Sequence, residues 1–300
     1  MKYIKLFKKH NPDYINFINS ENNKTPNICL CLDNKDIHIN HHELNDDYLT
    51  FTALESGTIS FNIWKYIGTD MITSISYSTD NGETWTTTIN QDNKSEDLII
   101  NVNVNTGDNI LWKGIATQLS NYDNDYVSCF RSTCEFDAKG NIMSLLYGDN
   151  FKNQYTIEEE SIFYNLFGDN IIDGVCMLVN AKDLVLPATT LTESCYLYMF
   201  ENCTSLTTAP ELPATTLADG CYSSMFQGCT SLTTPPELPA TTLANACYSN
   251  MFYDCTSLTT APELPATTLI NGCYTYMFEG CTSLTSAPEL PAITLTNSCY

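Results

Sequence analysis

Several cysteine and histidine residues, whose side chains are common metal ligands, lie close together in the sequence near the amino terminus. The candidates are Cys29, Cys31, His38, His41 and His42. Protein zinc sites use thiolate and imidazole ligands at a few characteristic spacings, and this C-x-C pair with its following histidines matches none of them. We therefore expect no bound metal or other cofactor. The alternative is a metal site formed by these five residues.

The residues that acid–base or nucleophilic catalysis needs are scarce. All four histidines lie within the first 42 residues, and Arg131 is the single arginine. A nucleophile needs a neighbouring base, most often histidine, so the main part of the chain lacks the components of a triad. It also contains no phosphate-binding loop and no dinucleotide fingerprint. The sequence predicts that the protein is not an enzyme, with a glycan-active enzyme as the remote alternative.

Residues 78–85 read STDNGETW and resemble the Asp-box of sialidase-like propellers. Sialidase chemistry needs three arginines around the substrate carboxylate, and this chain has one. In those folds the motif is a structural hairpin. We therefore predict a hairpin that turns at Asn81 and Gly82, with Trp85 packed beneath it.

Three kinds of side chain recur every 26 residues in the second half of the chain. Nine of the fourteen cysteines form two columns, Cys195, Cys221, Cys247, Cys273 and Cys299, and Cys203, Cys229, Cys255 and Cys281. We predict buried free thiols, because cysteine packs as a small hydrophobe and the cytosol offers no oxidant.

Carboxylates and hydroxyls recur at the same interval as the cysteines. The acidic column consists of Glu211, Glu237, Glu263 and Glu289. It is either a row of solvated edge positions or a weak Ca²⁺ site. The threonines are Thr207, Thr233, Thr259 and Thr285. They are either ordinary strand residues or hydroxyls displayed to a glycan or to ice.

The charge of the chain is strongly negative and unevenly distributed. Its formal net charge is −22, with 35 acidic residues against 13 basic ones, and no Lys, Arg or His follows Lys182. Such a surface repels phosphate backbones and anionic lipids, so we expect no nucleic acid and no membrane surface as partners. A neutral glycan, a cation or a protein remains a possible partner. The alternative is that the negative charge only keeps the repeats soluble.

No targeting segment is recognisable in the sequence. Lysines at positions 2, 5, 8 and 9 interrupt the first apolar run, so a signal-peptide core is missing. No later stretch reaches the roughly 20 apolar residues of a membrane span. We expect synthesis in the cytoplasm without membrane insertion. Because the last copy of the repeat is incomplete, we also expect the chain to be a piece of a longer protein.

A six-residue phrase, LPATTL or LPAITL, occurs five times at a spacing of 26 residues, from 186–191 to 290–295. A fixed period of this length is typical of a solenoid. Cys221, Met225 and Cys229 fall at i, i+4 and i+8, which predicts an amphipathic helix in each repeat. The following SLTTAPEL predicts one parallel strand, and a left-handed residue is predicted to end each helix at positions 202, 228, 254 and 280.

Comparison of the copies with each other separates an inward from an outward surface. The unchanging apolar positions predict the repeat core, which is Met199, Phe200, Cys203, Met225, Phe226, Cys229, Met251, Phe252, Cys255, Met277, Phe278 and Cys281. Variation concentrates on the opposite face, where Tyr198, Tyr253 and Tyr276 occur. We predict that these tyrosines bind a partner, and drift on a solvent face is the alternative.

The pattern MFxxCTSLTTAPELP resembles the BspA-type leucine-rich repeat over roughly residues 160–300. The resemblance rests on the Met-Phe pair, the following Cys and Leu, and the closing Pro. The 26-residue period and the additional cysteine column depart from that family. The amino-terminal residues are also similar to segments in proteins of Bacteroidales and their phages. What the family implies is a surface-exposed interaction module without common catalytic residues.

The predicted organisation has four segments. They are a leader or attachment segment at 1–48, an all-β immunoglobulin-like sandwich at 49–138, a capping junction at 139–186, and an α/β leucine-rich-repeat solenoid at 187–300. The sandwich is predicted from about seven short strands separated by turn signals.

These observations predict a recognition or display protein whose repeats bind a surface protein or glycan of a bacterial cell. The missing signal peptide favours a phage virion component, a fibre or decoration protein. A bacterial cell-surface adhesin of the BspA type is the alternative. Virion and cell surface are therefore the expected locations, and the amino-terminal segment is the expected site of homo-oligomerisation.

Overall fold

The chain divides into two compact units, Met1–Asp47 and Tyr48–Tyr300. The computed structural model describes four short strands in the first unit and, beyond them, residues 47–63, 73–90, 98–122, 127–168 and 175–300. The four strands are β1 Phe7–Lys8, β2 Tyr14–Asn16, β3 Cys29–Asp33 and β4 Asp36–His38. They form one antiparallel sheet in the order β1-β2-β3-β4.

Nine further strands form two sheets in the second unit. They are β5 Leu49–Ala53, β6 Gly57–Ile63, β7 Thr73–Ser78, β8 Thr86–Asn90, β9 Leu98–Val104, β10 Asn109–Ala116, β11 Ser128–Ser132, β12 Phe136–Asn141 and β13 Leu178–Val185. The larger sheet has the order β13-β12-β5-β10-β7-β8, and the smaller one has the order β11-β6-β9. Neighbouring strands are antiparallel except β12 and β13, which are parallel.

The two sheets face each other across an aromatic core. The ring of Phe130 on β11 lies 4.6 Å from that of Phe51 on β5 and 5.2 Å from that of Trp112 on β10. All three side chains are fully buried. Aromatic rings of this size bury a large apolar area each, so their contacts hold the sheets together. Between residues 49 and 138 the described residues therefore form strands and turns without helix, as the strand pattern predicts.

The predicted fold class, an immunoglobulin-like sandwich followed by an α/β leucine-rich-repeat solenoid, is wrong. The protein is nearly all β, and the helical residues among those described are confined to α1 Ser144–Tyr147 and a 3₁₀ turn at Gly148–Asn150. Residues 186–300, called the repeat stack below, contain neither helix nor strand. Runs of turns replace the predicted helices, and isolated bridges such as that between Thr208 and Thr234 replace the predicted strands.

The backbone hydrogen bonds explain why no helix forms. We call residues 192–203 and their equivalents in later copies the turn ribbon. The amide of Leu197 donates three residues back to the Ser194 carbonyl, at 3.0 Å, whereas the amide of Tyr196 donates to the Cys221 carbonyl of the next copy, at 3.0 Å. This alternation continues along the ribbon. In an α-helix every amide bonds four residues back, so a four-residue side-chain spacing here does not indicate a helix.

Positive φ angles recur at every fourth residue of the turn ribbon. The residues are Ser194, Tyr198 and Asn202, then Gly220, Ser224 and Gly228, then Ala246, Asn250 and Asp254, then Gly272, Tyr276 and Gly280. The left-handed conformation predicted at positions 202, 228, 254 and 280 is present, although it closes a turn instead of a helix. The predicted repeat core lies on the inner side, where all its residues are buried except Phe278, which is half-buried.

Two columns of parallel aromatic rings run through the repeat stack. One consists of Phe167, Phe200, Phe226, Phe252 and Phe278, with ring centroids 5.3 to 5.9 Å apart. The other consists of Phe163, Tyr196, Tyr222, Tyr248, Tyr274 and Tyr300, with centroids 5.6 to 5.9 Å apart. Each copy of the repeat is thus one rung, and identical side chains lie directly above each other.

The two sheets are bonded to the turns at residues 161–168, which precede the stack, and to its first rung. The amide of Ala181 in β13 donates to the Thr208 carbonyl at 3.0 Å, and the amide of Phe130 in β11 donates to the Leu166 carbonyl at 2.8 Å. The Phe130 ring also stacks on Phe167, at 5.4 Å, so an aromatic column begins inside the two-sheet core. Both sheets therefore continue into the stack, and one hydrophobic core runs through both.

At the third positive-φ position of each turn ribbon, an Asn or Asp in one rung alternates with a Gly in the next. Asn202 and Asp254 occupy it in two rungs, and Gly228 and Gly280 in the rungs that follow each of them. A Cβ at Gly228 would lie 2.1 Å from the Asn202 Oδ1 atom, and one at Gly280 would lie 1.9 Å from the Asp254 Oδ1 atom. The Asn or Asp side chain of one rung thus fills the space above the next, which only glycine leaves open.

Replacing Gly228 by alanine should lower the free energy of unfolding more than replacing Gly272. Both glycines have positive φ, +72° and +67°, so each alanine costs about 1 kcal/mol of backbone strain. The alanine at 228 also collides with Asn202, whereas the Cβ at 272 meets nothing closer than 3.6 Å. Urea unfolding followed by circular dichroism measures both losses. Equal losses would contradict the steric account, and Asn202→Gly combined with Gly228→Ala should recover the difference.

Candidate binding surfaces

The turn ribbons carry a column of four residues that differ from rung to rung, of which Ser224 is buried and Tyr276 is exposed. Tyr198, Ser224, Asn250 and Tyr276 share one backbone position, with φ angles of 56°, 52°, 53° and 53°. We call them the tyrosine column. Glycine and asparagine are favoured in this conformation, and a bulky residue there is an outlier that costs roughly 1–2 kcal/mol. Strained side chains of this kind are concentrated at functional sites.

The three tyrosines predicted to bind a partner have different surroundings. Tyr198 is half-buried and packs edge-on against Tyr164, with ring centroids 6.0 Å apart. Burial raises the pKa of the Tyr198 hydroxyl above its ordinary value. Tyr276 is 59% exposed, and Tyr253 is half-buried on the neighbouring rung. Tyr198 thus has a packing role, while Tyr253 and Tyr276 present aromatic surface to solvent.

Other variable positions on this side bond one rung to the next. The Ser223 hydroxyl donates to the Ser249 carbonyl at 3.2 Å, and the Gln227 amide group donates to the Glu201 carboxylate at 3.0 Å. Variation at these positions therefore preserves a contact between rungs. A contact between rungs does not explain the tyrosine at position 276, because an exposed ring gains little from packing.

The proposed metal ligands lie in the first unit. Cys29 and Cys31 belong to β3, and Cys31 is paired with His38 of β4 across the sheet. His41 and His42 lie outside the described residues. Within the described part of the chain, no three Cys, His, Asp or Glu side chains converge to hold a metal ion, and this applies to the acidic column as well.

The Asp-box segment forms the predicted hairpin between β7 and β8. Asn81 and Gly82 have φ angles of 56° and 88°. The Asp80 carboxylate accepts hydrogen bonds from the Ser78 hydroxyl, at 2.6 Å, and from the Thr84 amide, at 2.9 Å. These bonds lower the pKa of Asp80 to about 2. The motif is therefore used to hold a tight turn, as predicted.

The tryptophan of this hairpin is already in contact with a cation of the same chain. The Nζ atom of Lys113 lies 4.0 Å from the centre of the Trp85 ring and 2.7 Å from the Asp149 carboxylate. Tyr48 donates a hydrogen bond to the same carboxylate at 2.7 Å. Burial and this bond raise the pKa of Tyr48 to about 12. Because Lys113 lies over the ring, Trp85 does not offer a free platform for a sugar.

The thiols of the repeat stack are buried and chemically quiet. The twelve cysteines from Cys129 to Cys299 form no disulfide bond, and all are buried. Burial raises the pKa of Cys195 and of Cys247 to about 12. Since the thiolate is the reactive form, such thiols are poor nucleophiles and poor metal ligands at neutral pH. In the second column the Cys229 thiol donates to the Phe200 carbonyl at 3.1 Å, so it supports the backbone of the preceding rung.

Comparison with family models, curated proteins and solved structures found no match to this chain. The resemblance to BspA-type repeats therefore stays a prediction that rests on the sequence motif alone. Among the described residues, no helix has the length and apolar character that crossing a membrane requires.

The stability of the fold should decrease as the pH rises from about 9 to about 12. The thiol of Cys247 has an ordinary pKa of 9.0, and burial raises it to about 12. The unfolded chain loses this proton above pH 9 while the folded state keeps it, so each such thiol lowers the free energy of unfolding by about 1.4 kcal/mol per pH unit in that window. Below the unfolded pKa the stabilisation is fully present. Urea midpoints measured at intervals from pH 7 to 11 test this.

The variant Cys247→Ala is the control for this pH dependence. Its overall stability should be lower because of the cavity, but its slope above pH 9 should be shallower by one thiol. In the native protein at pH 8, iodoacetamide should leave the twelve cysteines from Cys129 to Cys299 unmodified. A urea midpoint that stays constant from pH 8 to 11, or rapid labelling of any of these twelve thiols in the native protein, would contradict the burial argument.

Replacing Tyr276 by asparagine should stabilise the fold by about 1 kcal/mol, because asparagine tolerates positive φ and tyrosine does not. Asn250 already occupies the equivalent position of the preceding rung with the same φ of 53°. The matched control is Tyr253→Asn, which changes a tyrosine whose φ is not positive. The measurement is the thermal midpoint of each variant. Stabilisation of both, or of neither, would show that backbone strain at Tyr276 is not the cause.

Proposed function

We propose that this is a non-enzymatic recognition protein, in which the outward side of the turn ribbons binds a protein or glycan on a bacterial cell surface. The observation that carries the proposal is Tyr276, an aromatic side chain that is 59% exposed and sits on a positive-φ position. Because a tyrosine at positive φ is expected to destabilise the fold relative to asparagine, a role outside the fold would explain its presence. A virion or a cell surface is the location that we propose for this activity.

The construction of the stack supports this proposal. Its inner positions are occupied by the same residue in each rung, and they hold the backbone in register through ring stacking and hydrogen bonds. The tyrosine column changes from rung to rung on that constant frame. Tyrosine is also the residue type that gives interfaces a large contact area at low conformational cost. A rigid scaffold with a varied aromatic surface suits recognition.

Binding of fluorescently labelled protein to intact cells of several Bacteroidales strains tests the proposal. The test variant combines Tyr253→Gln and Tyr276→Ser, which introduces the residues that Gln227 and Ser224 place at the equivalent positions. Because other rungs accept these residues, the fold should be retained. We expect strain-selective binding by the native protein and a loss of about tenfold in affinity for the variant, as for an interface anchor.

The control variant is Ile89→Ser, which removes an exposed apolar side chain from β8, away from the stack. It should bind as the native protein does. Absence of binding to every strain would overturn the proposed function. Binding that is unaffected by the double tyrosine variant would overturn the assignment of the binding surface to this side of the turn ribbons.

A further inference from the structure

A groove of about 590 Å³ opens between two successive rungs on the corner of the stack. One wall is formed by residues 234–239, and the other by residues 260–263 together with Pro265. Each wall begins next to backbone that is bonded to the preceding rung. Thr234 forms a parallel bridge with Thr208, and the amide of Thr259 donates to the Thr233 carbonyl at 3.2 Å. Five of the lining residues are prolines, whose rings fix the backbone angle φ. The groove is therefore preformed, and its volume is within the range of ligand sites.

The chemistry of the groove favours ligands that donate hydrogen bonds. Prolines contribute carbonyl acceptors and no amide donors. The only charged side chains that line the groove are Glu237 and Glu263, both exposed, and carboxylates accept but do not donate. A phosphate, a sulfate or an acidic sugar would meet like charge and few donors there. The matching ligand carries positive charge and several N–H groups.

No cation of the stack neutralises these carboxylates. The sequence contains no Lys, Arg or His after Lys182, although nine acidic residues lie between Glu193 and Glu289. The two carboxylates of the groove are thus placed in a field of like charge, which a cationic partner would relieve.

We propose that this groove binds an arginine-bearing, extended segment of a partner protein. The guanidinium group presents several N–H donors in a planar fork that fits carboxylates bidentately, so it can bond Glu237 and Glu263. The apolar stem of the arginine side chain packs along the rings of Pro239 and Pro265, which line the groove and are accessible. Equivalent residues repeat in each rung, so a segment with several arginines can engage more than one rung. This site is independent of the tyrosine column, and the inference goes beyond the proposed function.

Fluorescence anisotropy with a labelled tetra-arginine peptide tests this inference. The test variant combines Glu237→Gln and Glu263→Gln, and the matched control combines Glu158→Gln and Glu159→Gln, which removes the same charge from exposed positions outside the stack. We expect the peptide to bind about tenfold more weakly to the test variant, since two charge-assisted bonds are lost, and equally well to the control. A tetra-glutamine peptide should not bind.

Three results would overturn the inference. The first is no binding of tetra-arginine to the native protein. The second is an equal loss of peptide affinity in the two glutamate variants, which would assign binding to diffuse negative charge. The third is tighter binding of a polymeric amino sugar than of the peptide. The variant with Tyr253→Gln and Tyr276→Ser should bind the peptide like the native protein. Circular dichroism of each glutamine variant establishes that the fold is retained, so the test stays separate from that of the proposed function.

Discussion

The structure of the repeat stack depends on one constraint, the alternation of amide partners along each turn ribbon. One amide closes a turn within its rung, and the next amide reaches a carbonyl of the following rung. Buried backbone groups must be paired, so a rung satisfies its own amides only when its neighbour lies in register. A constant length of the turn ribbon follows from this requirement, because an insertion within the ribbon would leave a row of amides without partners. The same geometry imposes a positive φ at every fourth residue, and this in turn limits which residue types each position accepts.

The two sheets provide the surface on which this register is set. β11 and β13 offer amides to the first turns and to the first bridged segment, and the Phe130 ring starts a column that continues through Phe167 and Phe200. Because the two-sheet part already has a packed core of its own, it presents the first rung with a fixed array of donors and rings. Each later rung then repeats the pattern of the rung before it. The stack is therefore stabilised from its amino-terminal side.

Sequence reasoning identified the period, the inner residues and the outward variation, because those depend on burial, which residue type reports directly. It failed on the backbone. The spacing of Cys221, Met225 and Cys229 suits an amphipathic helix, and it suits equally a ribbon of turns with a four-residue period. A distinguishing signal was present in the glycines at 220 and 228, which occupy two positive-φ positions eight residues apart, since an interior helix position disfavours glycine. The tyrosines at 198 and 276 concealed this signal, because nothing in a tyrosine suggests a left-handed backbone. The groove could not be predicted either, because its two walls come from different rungs.

The inner and outer surfaces of the stack divide the chemistry of the chain between them. The thiols and the stacked tyrosine rings lie inside, where burial raises the pKa values of Cys247 and Tyr222 and keeps both groups protonated. The carboxylates of the stack lie outside with the exception of Glu201, which is buried and accepts a hydrogen bond from Gln227. The buried thiols and tyrosine hydroxyls are thus kept in their unreactive protonated form. The accessible carboxylates lie on a backbone whose register is fixed by hydrogen bonds between rungs. Such a surface presents its side chains at fixed positions and can discriminate partners by position and charge. A preformed surface loses little conformational entropy on binding, which supports the recognition role that we propose.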